Sequence, residues 1–342
     1  MRKSEVSKVI DNKINDWISS ITDTELAKDI KNNIIVTGGC IVSLINNETP
    51  NDFDIYFRTK DITKRVAQYY CNVFNNHNQN QTNKLGKVLH AWVLDGKDVE
   101  EYKANNKRLT SFAYGYYNDD DIPSGMITNT TTDRIKVIVN SDGIASSNSE
   151  LGTEVYMNTI KESDEISSCE IDKLNDTEKR YMPVFLSTNA ITLSDKIQLV
   201  IRFYGSPTQI HETFDYVHCM CYWTSWDKKV HYTVDALEAI LNKELKYVGS
   251  KYPICSVMRM RKFINRGWKI NAGQILKMAF QISELNLKDI NVLEDQLVGV
   301  DSLYFLHTIE CLRKMMEEKK SKGEDFSYDS TYLSTVIDRV FN

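Results

Sequence analysis

The chain has 342 residues, enough for two or three domains, and the composition of an ordinary soluble globular protein. Its formal net charge is −5, which excludes a global basic signature, so any contact with RNA or DNA must come from a local patch. The sequence lacks an apolar run of membrane-spanning length and a signal-peptide pattern, and its seven cysteines, an odd number without paired metal-ligand spacing, indicate reduced thiols in a cytoplasmic setting.

The N-terminal part predicts helices and then a strand-turn-helix unit. Apolar residues recur at helical spacing over residues 1–31, and Thr22 or Asp23 could cap a second helix there. Residues 34–57, IIVTGGCIVSLINNETPNDFDIYF, predict a strand, a glycine turn, a short helix, a loop and a second strand. Asp52 and Asp54 alternate with apolar residues on the second strand, so both carboxylates should point to one face.

This segment has the chemistry of a nucleotide site. Two neighbouring carboxylates repel each other unless a cation lies between them, and oxygen ligands suit Mg²⁺, which keeps substrate phosphates in its shell. The pair Gly38 and Gly39 lets backbone N–H groups approach a phosphate at the start of a helix. The segment therefore predicts a phosphate cradle followed by metal-binding carboxylates. The alternative is an ordinary strand-turn-helix-strand unit with a solvated acidic end.

The middle of the chain predicts a helix, a loop and a surface insertion. Residues 61–74 have a helical apolar face, whereas residues 75–83 are polar and predict an exposed loop. Residues 135–139 predict a strand within a polar insertion at about 100–180. Asp119, Asp120 and Asp121 in that insertion could form a second metal site, although acidic residues before a proline more often form a solvated turn.

Strands are predicted again at residues 184–193, 197–203 and 216–223, followed by helices to the end of the chain. His218, Cys219 and Cys221 in the last of these strands are interpreted as core residues. Asn271 is expected to cap a helix over residues 272–285. Phe263 and Trp268 lie among the densest basic residues, which suits nucleic acid but equally suits a solvated helix face that packs Trp268 inward.

The glycine pair followed by Asp-x-Asp on the next strand resembles the signature of the DNA polymerase β nucleotidyltransferase superfamily. The order of IQLVIRF, TQIHETFDYVHCMCYW, VDALEAILNKELKYVG and YPICSVMRMRKFINRGWKI is most similar to that of the bacterial-type tRNA nucleotidyltransferase and poly(A) polymerase branch. This resemblance covers about residues 34–60 and 184–270. The chain also resembles nucleotidyltransferase-like proteins of large tailed phages, which assigns no role.

The resemblance implies an α/β (α+β) catalytic domain with a mixed sheet over residues 1–232, including the insertion, and an all-α neck and body domain over residues 233–342. It implies template-independent transfer of a nucleoside monophosphate from an NTP such as ATP to an acceptor hydroxyl, with release of pyrophosphate. We expect the acceptor to be an RNA 3′ end and the cofactor to be Mg²⁺ or Mn²⁺. The expected location is the cytoplasm, that of the host if the protein is viral, with no membrane partner.

The resemblance also implies roles for individual residues. Asp52 and Asp54 would hold the metal ions, Gly38 and Gly39 would hold the triphosphate, and Asp215 would be a further catalytic acid. Three basic residues would contact the nucleotide or the acceptor: Arg259, Lys262 and Arg266.

Several departures from the family pattern leave other functions open. Gln198 stands where the family has a third carboxylate, and Thr213 and Phe214 replace an arginine pair. Val42 and Ser43 replace an Arg-Asp pair, and residues 252–255 lack the motif that selects the base in CCA addition, so CCA addition is not expected. The alternatives are a catalytically weak nucleotide- or nucleic-acid-binding module of the same fold, or a transferase that acts on a protein or small molecule.

Overall fold

The computed structural model describes residues 1–82, 88–98, 135–139, 180–187 and 189–289, with a few single positions beyond. Most of the predicted insertion, including Asp119 to Asp121, and the predicted helices beyond residue 289 lie outside the described residues. The described residues belong to two compact units, one formed mainly by residues up to 241, the other by residues 213–217 and those from 242 onward. Most of the helix Val234–Asn242, assigned to the second domain from the sequence, therefore lies in the first unit.

The chain begins with helices α1 (Lys3–Ser19) and α2 (Thr24–Ile30), as predicted. Val6, Ile10, Ile14 and Trp17 are buried along α1, three or four residues apart, so they form one apolar face. The Asp23 carboxylate caps α2 because it accepts a hydrogen bond from the Leu26 N–H at 2.9 Å.

A mixed sheet of seven strands forms the centre of the first unit. Its strands in chain order are β1 (Ile34–Thr37), β2 (Phe53–Phe57), β5 (Pro183–Leu186), β6 (Ala190–Leu193), β7 (Ile197–Tyr204), β8 (Tyr222–Thr224) and β9 (Lys229–His231). The strands β3 (Ala91–Leu94) and β4 (Lys136–Val139) form a separate two-stranded antiparallel sheet. The order is β5-β6-β7-β2-β1-β8-β9, in which β2 and β7 run parallel and the other neighbours antiparallel.

The first unit also contains helices, several of which contact the sheet. They are α3 (Gly39–Ile45), α4 (Lys60–His77), α5 (Pro207–His211) and α6 (Val234–Asn242), besides α1 and α2. The Trp17 ring lies 6.5 Å from the Phe57 ring, and its indole N–H donates to the Tyr70 hydroxyl at 2.7 Å. Because side chains alternate along β2, Asp54 points to the face opposite Phe57 and Trp17.

Three predicted segments differ from the structure. The strand predicted over 184–193 is the hairpin β5–β6, and the strand predicted over 216–223 is a 3₁₀ helix, Val217–Met220, followed by β8. The predicted loop at 75–83 begins within α4, which continues to His77. The Asn75 side chain accepts from the Ala91 N–H at 2.7 Å and donates to the Ala91 carbonyl at 3.0 Å, so contacts with β3 extend the helix.

The second unit contains helices α7 (Pro253–Asn265) and α8 (Ala272–Ser283). Asn271 caps α8, as predicted, through a hydrogen bond from the Gln274 N–H at 3.1 Å. Tyr216 is buried in this unit and its hydroxyl donates to the Ser256 carbonyl at 2.8 Å. In the described part of the chain, no helix is both long and apolar enough to cross a membrane.

Candidate functional site

The turn between β1 and α3 requires glycine at position 38 for two reasons. Gly38 has φ +92° and ψ −149°, a backbone conformation that is almost restricted to glycine. A Cβ atom at this position would lie 3.0 Å from the Asp54 Oδ2 atom. The Gly38 N–H donates to the Cys219 carbonyl at 3.2 Å. This N–H, which the sequence analysis assigned to a phosphate, is therefore used within the turn.

Strand pairing brings polar side chains into one row across the sheet. Asp54 lies opposite Thr37 on β1 and beside Gln198 on β7. Paired residues point to the same face, so the register extends this row to both sides. We call it the polar row; it consists of Thr192, Gln198, Asp54, Thr37, Tyr222 and His231.

The first turn of α3 lies close to both predicted metal ligands. Burial raises the pKa of the Cys40 thiol, and the negative charges of Asp54 and Asp52 raise it further. Both carboxylates are therefore near the same thiol, although Asp52 precedes the first residue of β2. Among the described residues, no group of three His, Cys, Asp or Glu side chains is placed to hold a metal ion. The position beside Asp54 holds the amide of Gln198.

His211 is a site residue that the sequence analysis missed. Its Nε2 atom lies 2.9 Å from the Thr37 Oγ1 atom, and that hydroxyl also lies within 3.2 Å of the Cys219 and Cys221 carbonyls. Because the hydroxyl has one hydrogen to give to a carbonyl, His211 Nε2–H is the donor to Thr37. Burial lowers the pKa of His211 to about 4, so its ring is neutral at pH 7. No local sequence pattern indicated that α5 would place this ring beside Thr37.

The remaining predicted site residues lie in the second unit, and two of them bind each other. Arg259 Nε donates to Asp215 Oδ2 at 2.6 Å, and Asp215 is buried. The sequence analysis gave these residues separate roles, in catalysis and nucleotide binding, and did not predict their ion pair. Lys262 lies in the last turn of α7 and Arg266 at its C-cap, and both are exposed.

Trp268 does not have the exposure that base stacking requires. It is 7% exposed, and its ring centre lies 5.9 Å from that of Phe263. The structure therefore favours the second interpretation of this basic segment, in which Trp268 packs inward. Gly38, Gly39, Asp52 and Asp54 come together in the first unit, whereas Asp215, Arg259, Lys262 and Arg266 belong to the second.

A family model described as Gabija anti-defense 2 family protein, Gad2, matches residues 8–243. The chain belongs to this family. The matched range contains the glycine turn, both candidate metal ligands and the seven-stranded sheet. The polymerase β superfamily resemblance and the tRNA nucleotidyltransferase branch stay predictions.

Two known proteins show partial similarity to the chain. A protein of Bacillus phage SPbetaL7 named Gabija anti-defense 2 is 21% identical over 152 residues, which are 43% of this chain and 38% of the phage protein. The match thus spans less than half of that Gad2 protein. The Thermotoga maritima CCA-adding enzyme, solved in complex with tRNA, aligns with 95% of this chain and 68% of its own at 8% identity. The TM-score of 0.34 does not establish a shared fold.

Proposed function

We propose that this chain is a metal-dependent nucleotidyltransferase that moves a nucleoside monophosphate from an NTP to the 3′ hydroxyl of an RNA, with release of pyrophosphate. The observation that carries the proposal is the contact between the glycine turn and the acidic strand. Glycine suits position 38 because its backbone has φ +92° and a Cβ atom there would lie 3.0 Å from the Asp54 carboxylate, which would have to shift. The turn suited to phosphate and the carboxylate suited to a metal ion therefore form one site.

The residues at this site fit Mg²⁺ or Mn²⁺. Asp52 and Asp54 offer carboxylate oxygens, and the Gln198 amide offers a carbonyl oxygen, all hard ligands. When bound, the metal ion would neutralise charge on the triphosphate and favour departure of pyrophosphate. In the proposal, Asp52 and Asp54 hold the metal ion and the N–H groups at Gly39 and the start of α3 face the phosphates.

Neutral His211 positions Thr37 rather than serving as a base. Its Nε2–H is engaged with the Thr37 hydroxyl, and its pKa of about 4 leaves it uncharged at pH 7. A neutral ring next to Thr37, the strand partner of Asp54, adds no positive charge that would compete with a metal ion for that carboxylate. Asp215 is a further catalytic acid in the proposal, and Arg259, Lys262 and Arg266 contact the nucleotide or the acceptor.

Family membership suggests the setting of this activity. The family's name states that it counters Gabija defence, and we infer that this chain does so through nucleotide transfer. The inference predicts that expression of the chain restores plaque formation by a Gabija-sensitive phage on a Gabija-carrying strain. The Asp54→Asn variant should not restore it.

A direct transfer assay tests the proposed chemistry. The purified chain is incubated with Mg²⁺, each α-labelled NTP in turn and total cellular RNA. We expect label in RNA with the native chain and none with Asp52→Asn or Asp54→Asn. Asp61→Asn is the matched control, because Asp61 is an exposed acid at the start of α4. Equal labelling by both site variants and the native chain would refute the mechanism.

A second candidate is a nucleotide-binding module without turnover. Gln198 favours it, because an amide beside Asp54 can bind a metal ion through its carbonyl but cannot carry negative charge. NTP binding without pyrophosphate release, in every acceptor mixture, would support this function. Label on protein instead of RNA would support a transferase with a protein acceptor.

A further inference from the structure

Basic side chains concentrate in an open cleft where the start of α1 meets the turn between β8 and β9. The cleft has a volume of about 700 Å³, and the charged residues along it are Arg2, Lys3, Lys8, Asp11, Lys228 and Lys229. Asp11 binds Lys228 at 3.1 Å. Within the described ranges, no ion pair engages the other four cations. We call this surface the basic cleft.

The groups in the basic cleft suit the phosphates of a nucleic acid. α1 has 17 residues, and its N-terminus, the positive end of the helix dipole, borders the cleft, where Glu5 in the first turn accepts a hydrogen bond from the Arg2 N–H at 2.9 Å. The hydroxyls of Ser4 and Ser7 also line it. Lysine, arginine, hydroxyl and helix N-terminal groups are those that commonly contact nucleic-acid phosphates. The chain carries a net charge of −5, so nucleic-acid binding requires a local basic patch, and this cleft is one such patch.

Lys229 connects the basic cleft to the end of the polar row. Lys229 and His231 are two residues apart on β9, so they point to the same face. His231 is three strands from Asp54, a distance of about 14 Å at ordinary strand spacing. Between them, the rings of Tyr222 and His231 stack 4.7 Å apart at 16°, and both residues are half-buried. The Tyr222 ring also meets the His211 ring at 5.5 Å and 64°, so these three rings form one aromatic cluster along the row.

We propose that the basic cleft binds the phosphate backbone of single-stranded RNA and that the strand passes over Tyr222 towards Asp54. This path gives the acceptor of the proposed transferase a binding surface within the first unit. The direction of this RNA path towards Asp54 rests on the proposed function, whereas RNA binding by the basic cleft can be measured without any nucleotide transfer.

The test is binding of a short fluorescent single-stranded RNA in a salt series, without NTP or divalent metal. The variant combines Arg2→Gln, Lys3→Gln, Lys8→Gln and Lys229→Gln. Its matched control is Lys28→Gln with Lys31→Gln, two exposed lysines on and next to α2, outside the cleft. Loss of four phosphate contacts should lower the slope of log affinity against log salt by about 3 and weaken binding at least about tenfold. The control should bind RNA like the native chain.

A second variant, Lys8→Glu with Lys229→Glu, guards against misfolding of the first, since both side chains are exposed. It should lose RNA binding while its thermal midpoint stays at the native value. Native affinity and salt slope in both variants would overturn the proposal. Binding of polyglutamate is measured alongside binding of RNA. Loss of polyglutamate binding in the variants without loss of RNA binding would also overturn the proposal and would indicate an acidic protein partner. If cleft-dependent RNA binding occurs but no NTP is transferred, the proposed function fails and this inference stands.

Discussion

Gly38→Ala tests the link between the glycine turn and the acidic strand. The native backbone at Gly38, φ +92° and ψ −149°, costs of order 1–3 kcal/mol for a residue with a side chain. The new methyl group would lie 3.0 Å from Asp54 Oδ2, so the carboxylate must also shift. We therefore expect the free energy of unfolding to fall by about 1–3 kcal/mol, which lowers the thermal midpoint by roughly 1.5–4 °C in a chain of this size.

Gly39→Ala is the matched control for this change. Gly39 begins α3, and a Cβ atom there would meet nothing within 4 Å. Alanine at this helical position should leave the free energy of unfolding unchanged or raise it by up to about 1 kcal/mol. The measurement is urea unfolding of both variants by circular dichroism. A Gly38→Ala chain as stable as Gly39→Ala would refute the geometry of the turn.

Four further predictions follow from individual contacts. Asp215→Asn leaves Arg259 without its acidic partner and should lower the free energy of unfolding by roughly 3 kcal/mol. The double variant that also carries Arg259→Met should recover part of this loss, and urea unfolding of the double-mutant cycle measures both effects. Tyr70→Phe removes the acceptor of the Trp17 indole N–H and should cost about 1–3 kcal/mol of unfolding free energy. Tyr69→Phe, at the half-buried neighbour whose hydroxyl bonds the exposed Thr22, should cost less. Burial lowers the pKa of His211 to about 4 and that of His218 to about 3, both below the value of about 6.5 for an unfolded histidine. The unfolded chain therefore binds protons first as the pH falls below about 6.5, and the free energy of unfolding should drop by about 2 kcal/mol per histidine between pH 7 and pH 5. A flat profile of urea midpoints over this pH range would contradict the burial of both rings. Gln198→Glu should raise the rate of label transfer if the site needs a third carboxylate, and should leave it unchanged or lower it if the native amide suffices.

Local sequence patterns predicted the β1–α3–β2 unit because its signals are all short-range. Apolar runs gave the strands, and glycine gave the turn. The contact between Gly38 and Asp54 depends on strand register, since Thr37 must pair with Asp54 before the carboxylate reaches the turn. Sequence spacing alone could suggest such a contact but could not establish it.

Residues 216–223 show why other features were not predictable. An apolar run of this length fits a strand or a helical turn equally well. In the structure, the Cys219 carbonyl accepts from the Gly38 N–H, and both Cys219 and Cys221 carbonyls lie near the Thr37 hydroxyl. Tertiary hydrogen bonds from β1 thus fix a 3₁₀ helix here. The Asp215–Arg259 pair joins residues 44 positions apart, and no local pattern indicates such a pair.

Gln198 is the residue at which the two candidate functions differ most sharply. The parallel pairing of β2 and β7 places it beside Asp54, so its position is fixed by the sheet and not by a loop that could rearrange. An amide there leaves two carboxylates to balance the charge of metal ions, which suits one bound ion better than two. A site with one ion can hold a nucleotide, but activation of the acceptor hydroxyl then needs a base from elsewhere. In the proposal that base is Asp215, so the choice between transferase and binding module depends on whether its carboxylate, which is paired with Arg259 in the structure, accepts the proton of the acceptor hydroxyl.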